Sequence, residues 1–265
     1  MSSKLRAKDI MSREVIGVDK DESIERVIHL MEKERITKFP VLEDGKLIGL
    51  VSDEEIVDKL GSVRTRTITP SALHVSSIMI RDFFSVTTEE EVSRIVERAK
   101  LGGIGIFPVL EDGRLAGVIT KSDLLQLVKS DKKLGEIMIT PVKSVAPDDR
   151  IVHARRIMVD NGIERLPVLK EGKVEGIIAA MDLALFLYEF RMRVENKYQQ
   201  ARLDGLLVEH AMKRDIEKAS RDMSAKEAAE LMQRENVGCL PIVDVSGKIE
   251  GMVTRTDLIK EIENS

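Results

Sequence analysis

FPVLEDGKLIGLVS, residues 39–52, reads as an apolar strand, an Asp-Gly turn and a second apolar strand. Pro40 stands where a proline is tolerated, at the start of a strand. Asp44-Gly45 between two apolar runs signals a two-residue hairpin. The same reading returns three times, as FPVLEDGRLAGVIT at 107–120, LPVLKEGKVEGIIA at 166–179 and LPIVDVSGKIEGMVT at 240–254. A glycine follows each proline at nine or ten residues: Gly49, Gly117, Gly176 and Gly251.

Working outward, each proline lies 29 residues after a methionine: Met11 to Pro40, Met79 to Pro108, Met138 to Pro167 and Met212 to Pro241. A fixed internal period is the mark of a repeat architecture. Between methionine and proline, Ile24, Val27, Ile28 and Met31 fall at helical spacing and predict a helix over roughly residues 22–34 with one buried face. Ala225, Ala228, Ala229 and Met232 give the same face in the fourth copy. With a short extended piece after each methionine and a second helix after the hairpin, the unit is β-α-β-β-α. The fold expected is α+β, four tandem repeats over residues 1–60, 72–130, 132–190 and 205–265. A unit this small is barely stable alone, so each repeat is expected to bury its sheet against a neighbour. Residues 61–72 read as a polar loop, 129–133 as a tight link, and 186–205 as a continuation of the second helix of repeat 3 into a charged segment, which reads as a solvated connector.

Composition narrows the function. The 265 residues are 43% apolar and 33% charged with a formal charge of −4, which supplies no basic field for nucleic acid. Eight aromatic residues and no Trp leave few platforms for base stacking. Cys239 is the single cysteine, which excludes an intrachain disulfide or a multi-cysteine metal site and reads as a small core residue. No apolar run approaches the roughly 18 residues of a membrane-spanning helix. The opening MSSKLRAKDI lacks the apolar stretch of a signal peptide, so a cytoplasmic protein is the expectation.

The methionine followed by an extended piece, the helix, the h-x-x-h-P-V strand, the hairpin glycine and a closing S/T-x-x-D helix resemble the CBS (cystathionine β-synthase) domain. All four repeats match, so the resemblance spans nearly the whole chain. It implies that consecutive repeats pair through their sheets into pseudo-twofold modules, here 1–130 and 132–265, which stack as a disc in some members. Each module of that family has two ligand clefts between its partners. A chain of four such repeats is similar to the regulatory gamma subunit of AMP-activated protein kinase and to small archaeal CBS proteins.

The second helix of each repeat starts with a quartet: Ser52-Asp53-Glu54-Glu55, Thr120-Lys121-Ser122-Asp123, Ala179-Ala180-Met181-Asp182 and Thr254-Arg255-Thr256-Asp257. One reading is a capping box, for which Glu55 has the better reach and Asp the poorer. The other, implied by the resemblance, is that Asp123 and Asp257 accept the hydroxyls of a ribose; a carboxylate offers two acceptor oxygens to a vicinal diol. Asp182 has lost the hydroxyl partner. Two positions before each proline the chain holds Lys38, Ile106, Arg165 and Cys239, so a cation alternates with an apolar residue.

By the family's pairing, one cleft joins Thr120, Lys121 and Asp123 to Thr37 and Lys38, with Val15, Ile36 and Pro40 as its apolar middle. The second joins Thr254, Arg255 and Asp257 to Arg165, with Val142, Ile163 and Pro167. Each has a ribose acceptor at one end and two cations for phosphate at the other. The reciprocal clefts, pairing Glu55 with Gly105 and Ile106, and Asp182 with Gly238 and Cys239, are poorer. They are expected to be empty or to take an uncharged nucleoside such as the adenosyl part of S-adenosylmethionine.

Other features carry less. His29, His74, His153 and His210 lack a partner at metal-ligand spacing, so no metal is expected. The glycines of LGGIGIF, residues 101–107, read as helix termination and close strand packing. The repeats consume nearly all of the chain and leave no insert to assemble a nucleophile, a metal or an acid–base pair. The sequence thus reads as a non-enzymatic sensor of AMP, ADP or ATP, with no catalytic cofactor, acting on a regulated protein that it does not name. A second copy of the chain is among the partners the resemblance admits. The competing readings are a sensor of S-adenosylmethionine and a nucleic-acid-binding regulator, to which only the basic RTRT at 64–67 speaks.

Overall fold

Type I′ turns place both central residues at positive φ, and three hairpins do this: Asp44 and Gly45 (49° and 74°), Asp112 and Gly113 (49° and 76°), Glu171 and Gly172 (53° and 78°). The computed structural model describes residues 5–62, 68–195, 198, 203 and 205–262. The hairpins are β2–β3 (Lys38–Glu43, Lys46–Ser52), β5–β6 (Ile106–Glu111, Arg114–Thr120), β7–β8 (Arg165–Lys170, Lys173–Ala179) and β9–β10 (Cys239–Val243, Ile249–Thr254), all antiparallel. The fourth has a longer turn, tied by the Asp244 carboxylate, which accepts the amides of Ser246 and Lys248. Among the described residues two first strands form, the two-residue β1 (Val18–Asp19) and β4 (Val86–Thr87), each parallel to its hairpin. Repeats 3 and 4 have single parallel bridges there, Val145 with Val168 and Ala219 with Ile242.

The helices whose ends are described are α1 (Ala7–Ile10), α2 (Ile24–Glu34), α3 (Asp53–Gly61), α4 (Val92–Lys100), α5 (Lys121–Leu124), α6 (Leu134–Ile137), α7 (Ile151–Asn161), α8 (Ala180–Arg193), α9 (Ala225–Arg234) and α10 (Arg255–Lys260). α2 buries Ile24, Val27, Ile28 and Met31, and α9 buries Ala225, Ala228, Ala229 and Met232, the faces expected from spacing. The basic RTRT at 64–67 and most of 196–204 lie outside the described residues.

The chain forms two compact units. One, Ile16–Phe83 with Lys143–Ile216, holds the bodies of repeats 1 and 3 around a shared core of α2, α3, α7 and α8, with Phe39, Ile56, Leu166 and Leu183 fully buried. In it Tyr188 of α8 donates a hydrogen bond to Glu25 of α2 at 2.7 Å and lies 3.1 Å from His29 Nε2. The other unit, Met1–Val15, Phe84–Val142 and Glu217–Ser265, holds the bodies of repeats 2 and 4 around Ile95, Ile119, Leu240 and Leu258.

The residues just after each methionine do not pair with their own repeat. Ser12 bridges Val118, Ile80 bridges Leu50, Ile139 bridges Met252 and Lys213 bridges Ile177. Each arm thus lies on the return strand of the repeat next to its own in sequence. The two signposts of the repeat meet there. A Cβ on Gly49 would lie 3.1 Å from the Met79 sulfur, and one on Gly117 2.7 Å from the Met11 sulfur, while Met212 and Met138 crowd Gly176 and Gly251.

Candidate ligand-binding site

The β-hairpin of each repeat ends where its second helix begins, so the quartet and the pre-proline residue are cross-strand neighbours. Lys38 pairs with Ser52, Ile106 with Thr120, Arg165 with Ala179 and Cys239 with Thr254. The next amide closes the corner in every repeat: Asp53 to the Thr37 carbonyl, Lys121 to Gly105, Ala180 to Glu164 and Arg255 to Gly238.

In the repeat 2/4 unit both Thr-x-x-Asp quartets cap their helices. Asp123 Oδ2 accepts the Thr120 amide and hydroxyl, each at 2.7 Å; Asp257 Oδ2 accepts those of Thr254 at 3.0 and 2.7 Å. The expectation that Asp suits a capping box less well is corrected at both quartets, because an extended Thr at the cap brings its amide to the carboxylate. The cap uses one oxygen. Lys260 takes Asp257 Oδ1 at 3.2 Å, and in the other unit Lys213 takes Asp182 Oδ1 at 2.8 Å, while Oδ2 of Asp182 accepts the Ala179 amide at 3.0 Å. Half-buried Asp123 keeps Oδ1 without a hydrogen bond or ion pair among the described residues. Lys121 donates to the Gly103 carbonyl at 3.2 Å, and Arg255 reaches Asn236 at 3.5 Å. Gly102, Gly103 and Gly105 have positive φ and lie between α4 and β5, a helix end followed by a strand, as read from LGGIGIF. Ile106 and Cys239 are buried.

In the repeat 1/3 unit the corners are charged. The Ser52 hydroxyl donates to Glu55 and accepts the Glu54 amide at 3.2 Å, so Ser52 caps α3. Glu164 holds both pre-proline cations: Lys38 Nζ at 3.1 Å on Oε1, and Arg165 at 2.6 Å on Oε2. Lys38 also lies 3.6 Å from Asp53 and 3.7 Å from Glu54, its side chain 14% exposed. Burial lowers the affinity of Lys38 for its proton, but Asp53, Glu164 and Glu54 outweigh it and the pKa rises. Burial pushes Asp53 up against the opposing charge of Lys38. Burial, and then the charge of Glu164, push Glu54 up to about 7.

The residues expected to form ligand clefts are thus distributed over the two units. Val15, Thr120, Lys121, Asp123, Val142, Thr254, Arg255 and Asp257 belong to the repeat 2/4 unit, as do Ile106 and Cys239. Ile36, Thr37, Lys38, Pro40, Ile163, Arg165 and Pro167 belong to the repeat 1/3 unit, with Glu55 and Asp182. Lys38 and Arg165, assigned to separate clefts, share one carboxylate. Sequence reasoning missed Asp53, Glu54 and Glu164. The signal was present: where repeats 2 and 4 carry Lys121 and Arg255 after the cap, repeat 1 carries Asp53-Glu54, the complement of its pre-proline cation.

Two histidines bond to the backbone. His74 Nδ1 lies 2.7 Å from the Asp21 carbonyl, and His210 Nδ1 accepts the Leu207 amide at 3.1 Å. No helix among the described residues is long and apolar enough to cross a membrane.

Comparison with known proteins follows the repeats. The chain is 24% identical over 273 residues to the uncharacterized protein MJ1225 of Methanocaldococcus jannaschii, covering 96% of this chain and 97% of that one. The crystal structure of MJ1225, described as a proposed archaeal homologue of g-AMPK, superposes with a TM-score of 0.85 over 98% of this chain and all of that one. An inosine-5'-monophosphate dehydrogenase of Korarchaeum cryptofilum is 30% identical over 171 residues, which are 64% of this chain and 31% of the enzyme. The profile of the CBS domain matches residues 7–62, 75–130, 134–189 and 208–264. The chain belongs to the CBS domain family, as four copies of the domain in tandem.

Proposed function

We propose that this protein is a non-catalytic regulatory sensor of adenine nucleotides, AMP, ADP or ATP, with a ribose accepted at the Thr120–Asp123 corner and at its counterpart Thr254–Asp257. The observation that carries the reading is the divided use of half-buried Asp123: Oδ2 caps α5 and Oδ1 is left for a second donor. A carboxylate already fixed by its own cap is pre-organised, so little rotamer freedom is lost when a diol binds. Binding biases a regulated partner only through a difference in affinity between two states of the sensor.

One observation favours a second ligand. Glu164 already engages Lys38 and Arg165, so a phosphate must displace a carboxylate to reach either cation. S-adenosylmethionine, which has no phosphate, escapes that competition. A calorimetric and melting panel of AMP, ADP, ATP and S-adenosylmethionine separates the two. The favoured ligand at a hundred times its Kd stabilises the protein by about 2.7 kcal/mol, and Asp123→Ala removes about one site per chain. No melting shift with any of the four, or full stoichiometry and affinity in both Asp123→Ala and Asp257→Ala, overturns the reading.

A further inference from the structure

We propose that the seam between repeats 1 and 3 is a proton-sensitive joint, in which Glu54 at the start of α3 and Glu164 before β7 hold one proton between them. The two carboxyls come from different repeats and meet on one ammonium, with Lys38 Nζ 3.7 Å from Glu54 and 3.1 Å from Glu164. The charged groups around them are Lys38 from β2, Asp53 from α3 and Arg165 from β7. Glu55 is turned back onto Ser52, and Asp58, one turn further along α3, is held at 2.7 Å by Arg155 of α7. Lys38 sits 3.1 to 3.7 Å from all three carboxylates, and with Arg165 on Glu164 two cations face three carboxylates. Asp53 is 3% exposed, and its Oδ1 has no hydrogen-bond donor. A third carboxyl is thus fixed beside the pair.

Two like charges that face each other across a packed seam cannot both be ionised without cost, so the pair retains a proton well above the ordinary carboxyl range. Glu54 at about 7, raised by burial and by Glu164, agrees with this geometry. Glu54 also lines a groove of about 430 Å³ between α3 and the Met158–Ile163 segment, which gives the proton a path to solvent. Releasing the proton places two charges of one sign between α3 of repeat 1 and the strand entry of repeat 3.

The sign follows from linkage. The folded pKa lies above the unfolded value of 4.5, so the folded state binds more protons between the two. Stability from this pair is greatest towards pH 4.5 and falls as pH rises through about 7.

The test uses the full chain, melted between pH 5.5 and 8.5, beside Glu54→Gln and Glu164→Gln. The wild type is expected to lose about tenfold or more in its folding equilibrium relative to Glu54→Gln between pH 5.5 and 7.5, with the variant melting higher at pH 8. Parallel curves overturn the proposal. Infrared spectroscopy of the wild type keeps the test decisive where a variant fails to fold. A protonated carboxyl band that persists at pH 6.5 and vanishes by pH 8.5 supports the joint, and its absence at pH 6.5 overturns it.

Discussion

At Gly176 the return strand of repeat 3 passes so close to Lys213 that an added Cβ would run into the Lys213 carbonyl. The matching Cβ on Gly117 would meet the Ser12 carbonyl at 2.9 Å, and on Gly49 the Ile80 carbonyl at 3.0 Å. Methionine side chains can turn aside, but a bridged backbone cannot without losing its hydrogen bonds. Overpacking of this kind costs about 1–3 kcal/mol, so Gly176→Ala is expected near the top of that range and Gly49→Ala near the bottom. Urea denaturation of the two variants checks the order; equal losses contradict it. These glycines and methionines were visible in the sequence as fixed signposts, but their contact was not, because the residues that touch belong to different repeats. Glu164 was missed for a related reason. Beside Arg165 it looks like an ordinary charged neighbour, and only the packing of repeat 1 against repeat 3 brings Lys38 onto it.

Elements whose chemistry is local were the most legible. The hairpins follow from Asp-Gly or Glu-Gly between apolar runs, and the first helices bury the four residues their spacing selects. The first strands were read less well. Val18–Asp19 and Val86–Thr87 are short because the residues ahead of them are drawn to another repeat's return strand. The three tight turns also differ in a way that can be measured. Asp44 and Asp112 occupy the left-handed region that Asp tolerates, whereas Glu171 occupies it at a φ of 53°. An ordinary L residue pays roughly 1–2 kcal/mol there, and Asn much less. Glu171→Asn is therefore expected to stabilise the protein by about 0.5–1 kcal/mol, read as a rise in melting temperature. No rise, or a fall, shows that the Glu171 side chain makes a compensating contact.

Across the molecule, the count of repeats was legible and the choice of which bodies pack together was not. Four similar amphipathic units are interchangeable on paper, and the pairing is decided by surfaces that a single sequence does not rank. The alternation of Lys38, Ile106, Arg165 and Cys239 did encode it: both cations fall in the repeat 1/3 unit, and both apolar residues in the repeat 2/4 unit. The repeat 1/3 seam is then internally matched, with Lys38 and Arg165 set among Asp53, Glu54 and Glu164, while Ile106 and Cys239 are buried in the repeat 2/4 unit. If that matching stabilises the fold, Lys38→Ile leaves three carboxylates facing one another without their shared ammonium. Removing one partner of a buried ionic group costs about 3–5 kcal/mol, which is the loss expected for this variant at pH 8. Adding Asp53→Asn and Glu54→Gln to Lys38→Ile removes the stranded charges, and the triple variant is expected to recover most of that loss, since apolar or neutral replacement of a whole buried cluster is often tolerated. Denaturant midpoints for the wild type, the single and the triple variant measure both quantities. A single-variant loss below about 1 kcal/mol would show that Lys38 behaves as a surface cation, and the alternation would then point back to a ligand as its cause.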